Sequence, residues 1–336
     1  MTGDSPQHLV SRPRRNRRTP TIRALSRETV ITPSDLIYPV FVQDGATQPI
    51  ESMPGQHRLS LDDLVKEAER AQRLGIPALA LFPKVPDELK TERGEQAYDP
   101  EGLAQRAVRA VKQAVPEVCV ITDVALDPYN SDGHDGIVSD TGEVLNDETI
   151  AVLVRQALSH AEAGADMVAP SDMMDGRVAA IRAGLDAAGY TNTSIMSYTA
   201  KYASAFYGPF RGALDSAPRP AGSKPIPADK ATYQMDPGNV REAMRELRLD
   251  ASEGADIVMV KPAGPYLDII CRLRAASDLP IAAYQVSGEY LMIKSAAATG
   301  FLELKPAIME SLLGIKRAGA DMVLTYCAPQ VAEWVS

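Results

Sequence analysis

A three-part unit recurs along this 336-residue chain: an amphipathic stretch, a Gly-Ala-Asp triplet, and a short apolar, β-branched run. It reads AEAGADMVAPS at 161–171, ASEGADIVMVKP at 251–262 and KRAGADMVLTYCA at 316–328, with a looser version, AQRLGIPALALFP, at 71–83. Glycine suits the left-handed position that ends a helix, and a run apolar on both faces suits a strand buried in a parallel sheet. Extending the pattern predicts strands at 36–42, 78–82, 118–126, 167–171, 194–200, 257–261, 281–286 and 322–327. Helices are predicted at 61–74, 101–114, 147–163, 176–188, 241–252, 266–275 and 307–318. Parallel-type strands alternating with helices over about 300 residues predict a (β/α)8 TIM barrel, an α/β fold whose active site lies at the C-terminal ends of its strands. The alternative, a doubly wound open sheet, is disfavoured because no Gly-x-Gly-x-x-Gly follows the first strand.

Composition agrees with such a core. Hydrophobic residues make up 45% but aromatic residues only 5%, so the interior is aliphatic. No apolar run reaches membrane-spanning length, and the N-terminus lacks the apolar segment of a secretory signal. Cys119, Cys271 and Cys327 are too few and too scattered for a disulfide framework or a Cys-rich metal site. These features predict a reducing, cytoplasmic setting.

The net charge of −9 weighs against nucleic acid as a partner of the whole chain. Its distribution is uneven. Arg12, Arg14, Arg15, Arg17, Arg18, Arg23 and Arg27 stand against Asp4 and Glu28, a local balance of +5. Residues 1–33 read as an extended N-terminal arm that docks on an acidic surface of another copy of the chain, and 34–336 as the catalytic barrel. The rival reading, nucleic-acid binding by the arginines, requires steeply salt-dependent affinity that deletion of residues 1–28 abolishes. A stretch at about 208–231 holds five prolines and three glycines between the fifth strand and TYQMD. A loop of that length inside a compact domain predicts a lid over the active face.

Lysines stand at the ends of the fifth and sixth strands: Lys201 and Lys261. A lysine beside an apolar strand normally snorkels to water or pairs with a carboxylate. Two such lysines at neighbouring strand ends are disfavoured as ammonium ions by burial and by each other. A neutral amine is what a Schiff-base nucleophile needs. The residues alone leave the substrate open; a class I aldolase-type lyase, for which one lysine suffices, fits the same observation.

The strings TDVALDP, APSDMMDGR, AKYASAFYGPFR, ATYQMDP, VMVKP, YQVSGEY and LTY resemble, in order and spacing, those of the porphobilinogen synthase (5-aminolevulinate dehydratase) family from about Arg12 to the C-terminus. The resemblance implies condensation of two molecules of 5-aminolevulinate to porphobilinogen, an early step of tetrapyrrole (heme) biosynthesis, in a homo-octamer built from arm-hugging dimers. It implies that Lys261 binds the substrate that becomes the propionate side and Lys201 the one that becomes the acetate side. It assigns Arg211 and Lys230 to one carboxylate, Ser287 and Tyr326 to the other, and Asp123, Ser171 and Asp172 to polar positions near the lysines, Asp123 being the proton-transfer partner. Lys224 also lies in the lid, which is longer than usual for the family, so either Lys224 or Lys230 could supply its lysine.

Zinc-dependent relatives carry three cysteines where this chain has Ala125, Asp127 and Asp135. Alanine has no ligating atom and aspartates prefer hard cations, so no catalytic zinc is expected and at most weak Mg²⁺ at Asp127 and Asp135. His134 is expected to be structural. Glu246 matches a position through which some zinc-free relatives bind Mg²⁺ away from the active site, which implies an allosteric Mg²⁺.

Overall fold

The computed structural model describes residues 10–219 and 224–336. Residues 1–9 of the arm and 220–223 of the expected lid, with Pro220, lie outside the described residues. The chain divides into two units, Met1–Val30 and Ile31–Ser336.

In the first unit a 3₁₀ turn, Pro13–Arg17, leads to a short helix, Pro20–Leu25. Thr19 caps that helix by accepting the Ile22 N–H at 3.2 Å, and Arg23 donates back to the Arg17 carbonyl at 2.8 Å. Val10, Leu25 and Val30 are exposed apolar side chains here.

The second unit is a closed parallel barrel. Its strands are β1 (Leu36–Gln43), β2 (Ala78–Lys84), β3 (Cys119–Val124), β4 (Met167–Pro170), β5 (Ser194–Lys201), β6 (Ile257–Lys261), β7 (Ile281–Gln285) and β8 (Met322–Thr325). Each pairs with the next, and β8 returns to β1 through Leu36 with Val323 and Ile37 with Leu324. The eight expected strands are therefore the eight that close the barrel, and four short strands, Gln48–Pro49, His57–Leu59, Ile137–Val138 and Val144–Leu145, were not expected. Their burial is nearly complete on both faces, as parallel strands under helices require.

The Gly-Ala-Asp triplet does more than end a helix. Gly164, Gly254 and Gly319 all have positive φ (103°, 99° and 122°), the backbone region that disfavours any side chain. The aspartate that follows then caps the neighbouring strand. Asp166 Oδ2 accepts the Val120 N–H at 2.8 Å, Asp256 Oδ2 the Ile195 N–H at 2.7 Å, and Asp321 Oδ2 the Ile281 N–H at 2.7 Å. The backbone N–H of each aspartate donates to the carbonyl of the same residue, at 3.1, 2.9 and 2.8 Å. Three strand entries are thus pinned by one repeated device at the end away from the active face.

Outside the barrel run α1 (Leu61–Arg73), α2 (Leu103–Ala114), α3 (Asn146–Glu162), α4 (Arg177–Ala187), α5 (Gly208–Leu214), α6 (Arg241–Ser252), α7 (Leu267–Ala276), α8 (Ser287–Ala298), α9 (Leu304–Ala318) and α10 (Ala328–Val335). Three of these were not expected. The lid stretch read as loop opens with α5, whose Gly-Pro start reads as a turn in sequence but whose proline suits the first turn of a helix. In α8 only the first four residues are buried, and Met292 is 59% exposed, so no apolar stripe at helical spacing announces it. The last, α10, is too short for a period to show. Among the described residues no helix is long and apolar enough to cross a membrane.

Candidate active site

Strand register brings the two lysines together. Lys261 at the end of β6 is the direct partner of Lys201 at the end of β5, after a register shift between Val258 and Val260. Both side chains lie near the Tyr198 ring, their ammonium nitrogens 5.9 Å (Lys201) and 5.0 Å (Lys261) from its centre. Both residues are buried, at 5% and 6% exposure.

Their surroundings differ. Lys261 Nζ stands among four aromatic rings, Tyr284 at 4.6 Å, Tyr198 at 5.0 Å, Phe210 at 5.1 Å and Tyr207 at 5.2 Å. Burial in this cage, and then the Lys201 charge, bring its amine down from 10.5 to about 7. Asp123, Asp127 and Asp135 pull the other way and are outweighed. Burial and mutual repulsion were both expected to contribute; burial is the larger of the two. Lys201 lies on the carboxylate side, donating to the Ser171 carbonyl and standing 3.6 Å from Asp135 Oδ1.

Three carboxylates from the β3 end meet these amines. Lys230, on the far side of the lid stretch, is buried, with Nζ 3.0 Å from Asp127 Oδ2 and 3.3 Å from Asp135 Oδ2. Burial opposes ionisation of Asp135, yet Lys201 and Lys230 together hold its carboxyl well below the usual range. Burial raises Asp127 in spite of Lys230. Asp123 is half-buried, and desolvation followed by the Asp127 charge lifts it to about 7, with Lys201 and Lys261 opposing. Three amines thus face three carboxylates, and one of each sort sits near neutrality. Two groups held near neutrality in one cluster are what acid–base chemistry at neutral pH requires.

Helix α5, at the start of the expected lid, packs on the ends of β1 and β2. Phe210 lies edge-on to Phe82 of β2 at 5.2 Å and 5.6 Å from Phe41 of β1. Arg58 donates to the Ala213 carbonyl at 2.6 Å, Lys84 pairs with Asp215 at 3.2 Å, and Ser52 donates to the Pro209 carbonyl at 2.7 Å. Arg211 is half-buried beside Phe210 and, among the described residues, its guanidinium has no ion pair. Lys224 is anchored elsewhere, on Asp132 at 3.0 Å and Glu92 at 3.4 Å, so of the two lid lysines it is Lys230 that reaches the cluster.

Ser287 opens α8. Its hydroxyl accepts the Phe210 N–H at 3.0 Å and contacts the Phe206 carbonyl at 3.4 Å, so it faces the lid. Tyr326, just past β8, shares a hydroxyl–hydroxyl bond of 2.8 Å with Tyr284 and stacks on Phe41. Ser287 and Tyr326 therefore flank the aromatic cage of Lys261, while Lys230 lies on Asp127 and Asp135.

Other expected positions fall as follows. Asp172 is fully buried and turns toward Arg177, whose Nε lies 3.7 Å from Asp172 Oδ2, while its own Oδ1 accepts the Met174 N–H at 2.7 Å. Desolvation lifts its carboxyl to about 6, against Arg177. Arg177 also meets Asp250 at 3.4 Å and Ser197 Oγ at 3.1 Å, a buried network under the Ser171–Asp172 turn that periodicity does not reveal. His134 bridges the Tyr233 hydroxyl and the Pro227 carbonyl, both at 3.0 Å, tying the β3 loop to the lid. Glu246 on α6 lies outside this cluster and lines a cavity of about 610 Å³ with Glu242, Asp175 and Asn146. Burial, then Asp250, pushes its carboxyl up to about 7. Among the described residues no group of three or more His, Cys, Asp or Glu is placed to hold a metal ion. The aromatic cage is the part that sequence reasoning missed, although Tyr207 and Phe210 lie in the string that carries Lys201 and Tyr198 stands three residues before that lysine.

Comparison with known proteins places this geometry. Residues 10–334 match the family model described as Delta-aminolevulinic acid dehydratase. The chain is 56% identical over 333 residues to the chloroplastic delta-aminolevulinic acid dehydratase of Physcomitrium patens, covering 98% of this chain and 76% of that one. It is 57% identical over 327 residues to the enzyme of Bradyrhizobium diazoefficiens, covering 97% and 91%. A crystal structure of delta-aminolevulinic acid dehydratase (porphobilinogen synthase) from Toxoplasma gondii ME49, in complex with the reaction product porphobilinogen, superposes with a TM-score of 0.93 at 54% identity, covering 97% and 92%.

Proposed function

The chain belongs to the delta-aminolevulinic acid dehydratase family, lyases that condense two molecules of 5-aminolevulinate into porphobilinogen, and we propose that it does so through Schiff bases on Lys261 and Lys201. One observation carries this reading: two buried lysines are register partners at adjacent strand ends, and burial brings one of them to about 7. Each amine adds to a ketone and expels its oxygen as water, giving an iminium that acidifies the adjacent C–H. A carbon–carbon bond and a carbon–nitrogen bond then join the substrates, both lysines are released, and a last proton is removed to form the pyrrole. Two waters are lost in all. Asp123, half-buried and near neutrality, is the proton acceptor in this scheme.

Two carboxylates need two clamps. Arg211 and Lys230 hold one from the lid side, with Lys230 exchanging part of its contact to Asp127 for the substrate. Ser287 and Tyr326 hold the other, the Ser287 hydroxyl turning its O–H from the Phe206 carbonyl to the anion. The Ser171 carbonyl orients Lys201, and Asp172 supports that turn through Arg177. The lid keeps water from hydrolysable iminium ions.

The reading includes catalysis without zinc. At the β3 end Ala125 has no donor atom, and Asp127 and Asp135 are already neutralised by Lys230 and Lys201. A zinc ion bound there would displace Lys230, so the donor set does not fit it, nor would it hold Mg²⁺ well. Glu246 is the better place for Mg²⁺: a carboxyl raised by its own burial and then by Asp250 gains from a nearby cation, held through water and acting away from the chemistry. The arm docks on another copy in an octamer, a reading supported by its exposed Val10, Leu25 and Val30. We place the enzyme in the cytoplasm.

Borohydride added with 5-aminolevulinate should trap substrate on Lys261, seen as a mass increase of the peptide that holds it. Absence of an adduct on both lysines refutes the scheme. Substantial activity left after replacement of Lys201 would favour an aldolase-type mechanism with one lysine.

A further inference from the structure

The residue two places after Ser287 is a buried carboxylate that the chemistry above does not use. Glu289 is 8% exposed, and among the described residues no lysine or arginine pairs with it. A buried carboxylate without a cation is costly unless hydrogen bonds replace its water. Burial pushes it up to about 7 against the pull of three backbone amides. Two of those bonds point in different directions. Glu289 Oε2 accepts the Val286 N–H at 2.8 Å, which closes the N-terminus of α8 as a glutamate in the first turn commonly does. Oε1 leaves the helix and accepts the Gly264 N–H, also at 2.8 Å.

Gly264 lies three residues beyond Lys261, and Val286 immediately precedes Ser287. One side chain therefore spans from the loop after β6 to the loop after β7. The packing around this bridge is tight. A Cβ on Gly264 would sit 2.5 Å from Glu289 Oε1, and a Cβ on Gly288 would sit 2.5 Å from the Phe206 carbonyl. The Tyr207 hydroxyl donates to the Lys261 carbonyl at 3.1 Å from the same side. A helix cap alone would not need the second bond.

We propose that Glu289 is a positioning residue that fixes the spacing between Lys261 and Ser287, and so gauges the length of the oxo acid whose ketone meets the one and whose carboxylate meets the other. The proposal rests on the roles of Lys261 and Ser287 given above. Glu289→Gln keeps the size but turns one acceptor into an NH₂ group that faces a backbone N–H. Gly264→Ala breaks the same bond from the other side.

The full-length enzyme and both variants are assayed for kcat and KM, for competitive inhibition by 4-oxopentanoate and by the one-carbon-longer 5-oxohexanoate, for thermal melting, and for borohydride trapping at Lys261. Loss of one binding geometry raises KM by about tenfold with kcat within about threefold. The preference for the 4-oxo over the 5-oxo acid narrows by a similar factor in both variants, and the double variant is no worse than either single one. Wild-type trapping at Lys261 with unchanged KM and unchanged inhibitor preference in both variants overturns the proposal alone. So does a lower melting temperature with no change in the inhibitor preference. Failure of the wild type to be trapped at Lys261 overturns the functional reading and the proposal with it.

Discussion

Replacing Lys261 by methionine should make the protein more stable while abolishing its activity. The methionine keeps most of the apolar stem among Tyr198, Tyr207, Phe210 and Tyr284 and removes only the amine. Folding brings that amine from 10.5 to about 7. At 1.36 kcal/mol per pH unit, the folded state bears about 5 kcal/mol for holding the ammonium ion in this cage. The sign follows from proton counting. Between pH 7 and 10.5 the unfolded chain binds a proton that the folded chain does not, so stability rises with pH across that window. Below about 7 both states are protonated and the whole penalty is present. Relaxation around the site reduces it, so a gain of about 2–5 kcal/mol is expected for the variant at pH 6. It should shrink steadily toward pH 10. Equilibrium urea unfolding at pH 6, 7, 8.5 and 10 reads this as a shift in midpoint at constant slope. A variant no more stable than wild type at pH 6, or a gain independent of pH, would refute the reasoning.

Other perturbations test the rest of the site. Asp123→Asn should lower kcat by about 10²–10³-fold while leaving borohydride trapping at Lys261 intact, as expected for a proton-transfer group. Because the carboxyl is held near 7 and must be ionised to accept a proton, the wild-type rate should fall below about pH 7, in a limb shared with Lys261; pH–rate profiles of both proteins check this. Lys230→Met strands the buried Asp127 and Asp135, which should cost about 3–5 kcal/mol in urea unfolding and raise KM. His134→Phe removes the bridge between Tyr233 and Pro227 and should cost about 1–3 kcal/mol with Lys261 trapping preserved, read by unfolding and by trapping together.

The barrel was legible because each strand is apolar on both faces and three of them follow Gly-Ala-Asp, a triplet whose glycine must take positive φ and whose aspartate caps the preceding strand of the barrel. That signal is local, and so it survives in sequence. Helix α8 was not legible, since only its first four residues are buried and nothing periodic marks the remainder. The lysines could be placed at strand ends, and family resemblance could assign them partners. Their inequality could not be read. Lys201 and Lys261 occupy similar sequence contexts, yet one meets the Ser171 carbonyl and Asp135 while the other is boxed by four rings drawn from β5, the turn after it, α5 and β7. A pKa is set by everything within a few ångströms, and those neighbours lie tens of residues apart along the chain. The same holds for Asp172, which turns to Arg177, and for the choice of Lys230 over Lys224. Composition, period and capping residues determined the barrel and the positions of its reactive side chains; only the closing of the sheet and the packing of the lid decided which amine is nearly neutral, because desolvation is a property of enclosure and not of sequence order.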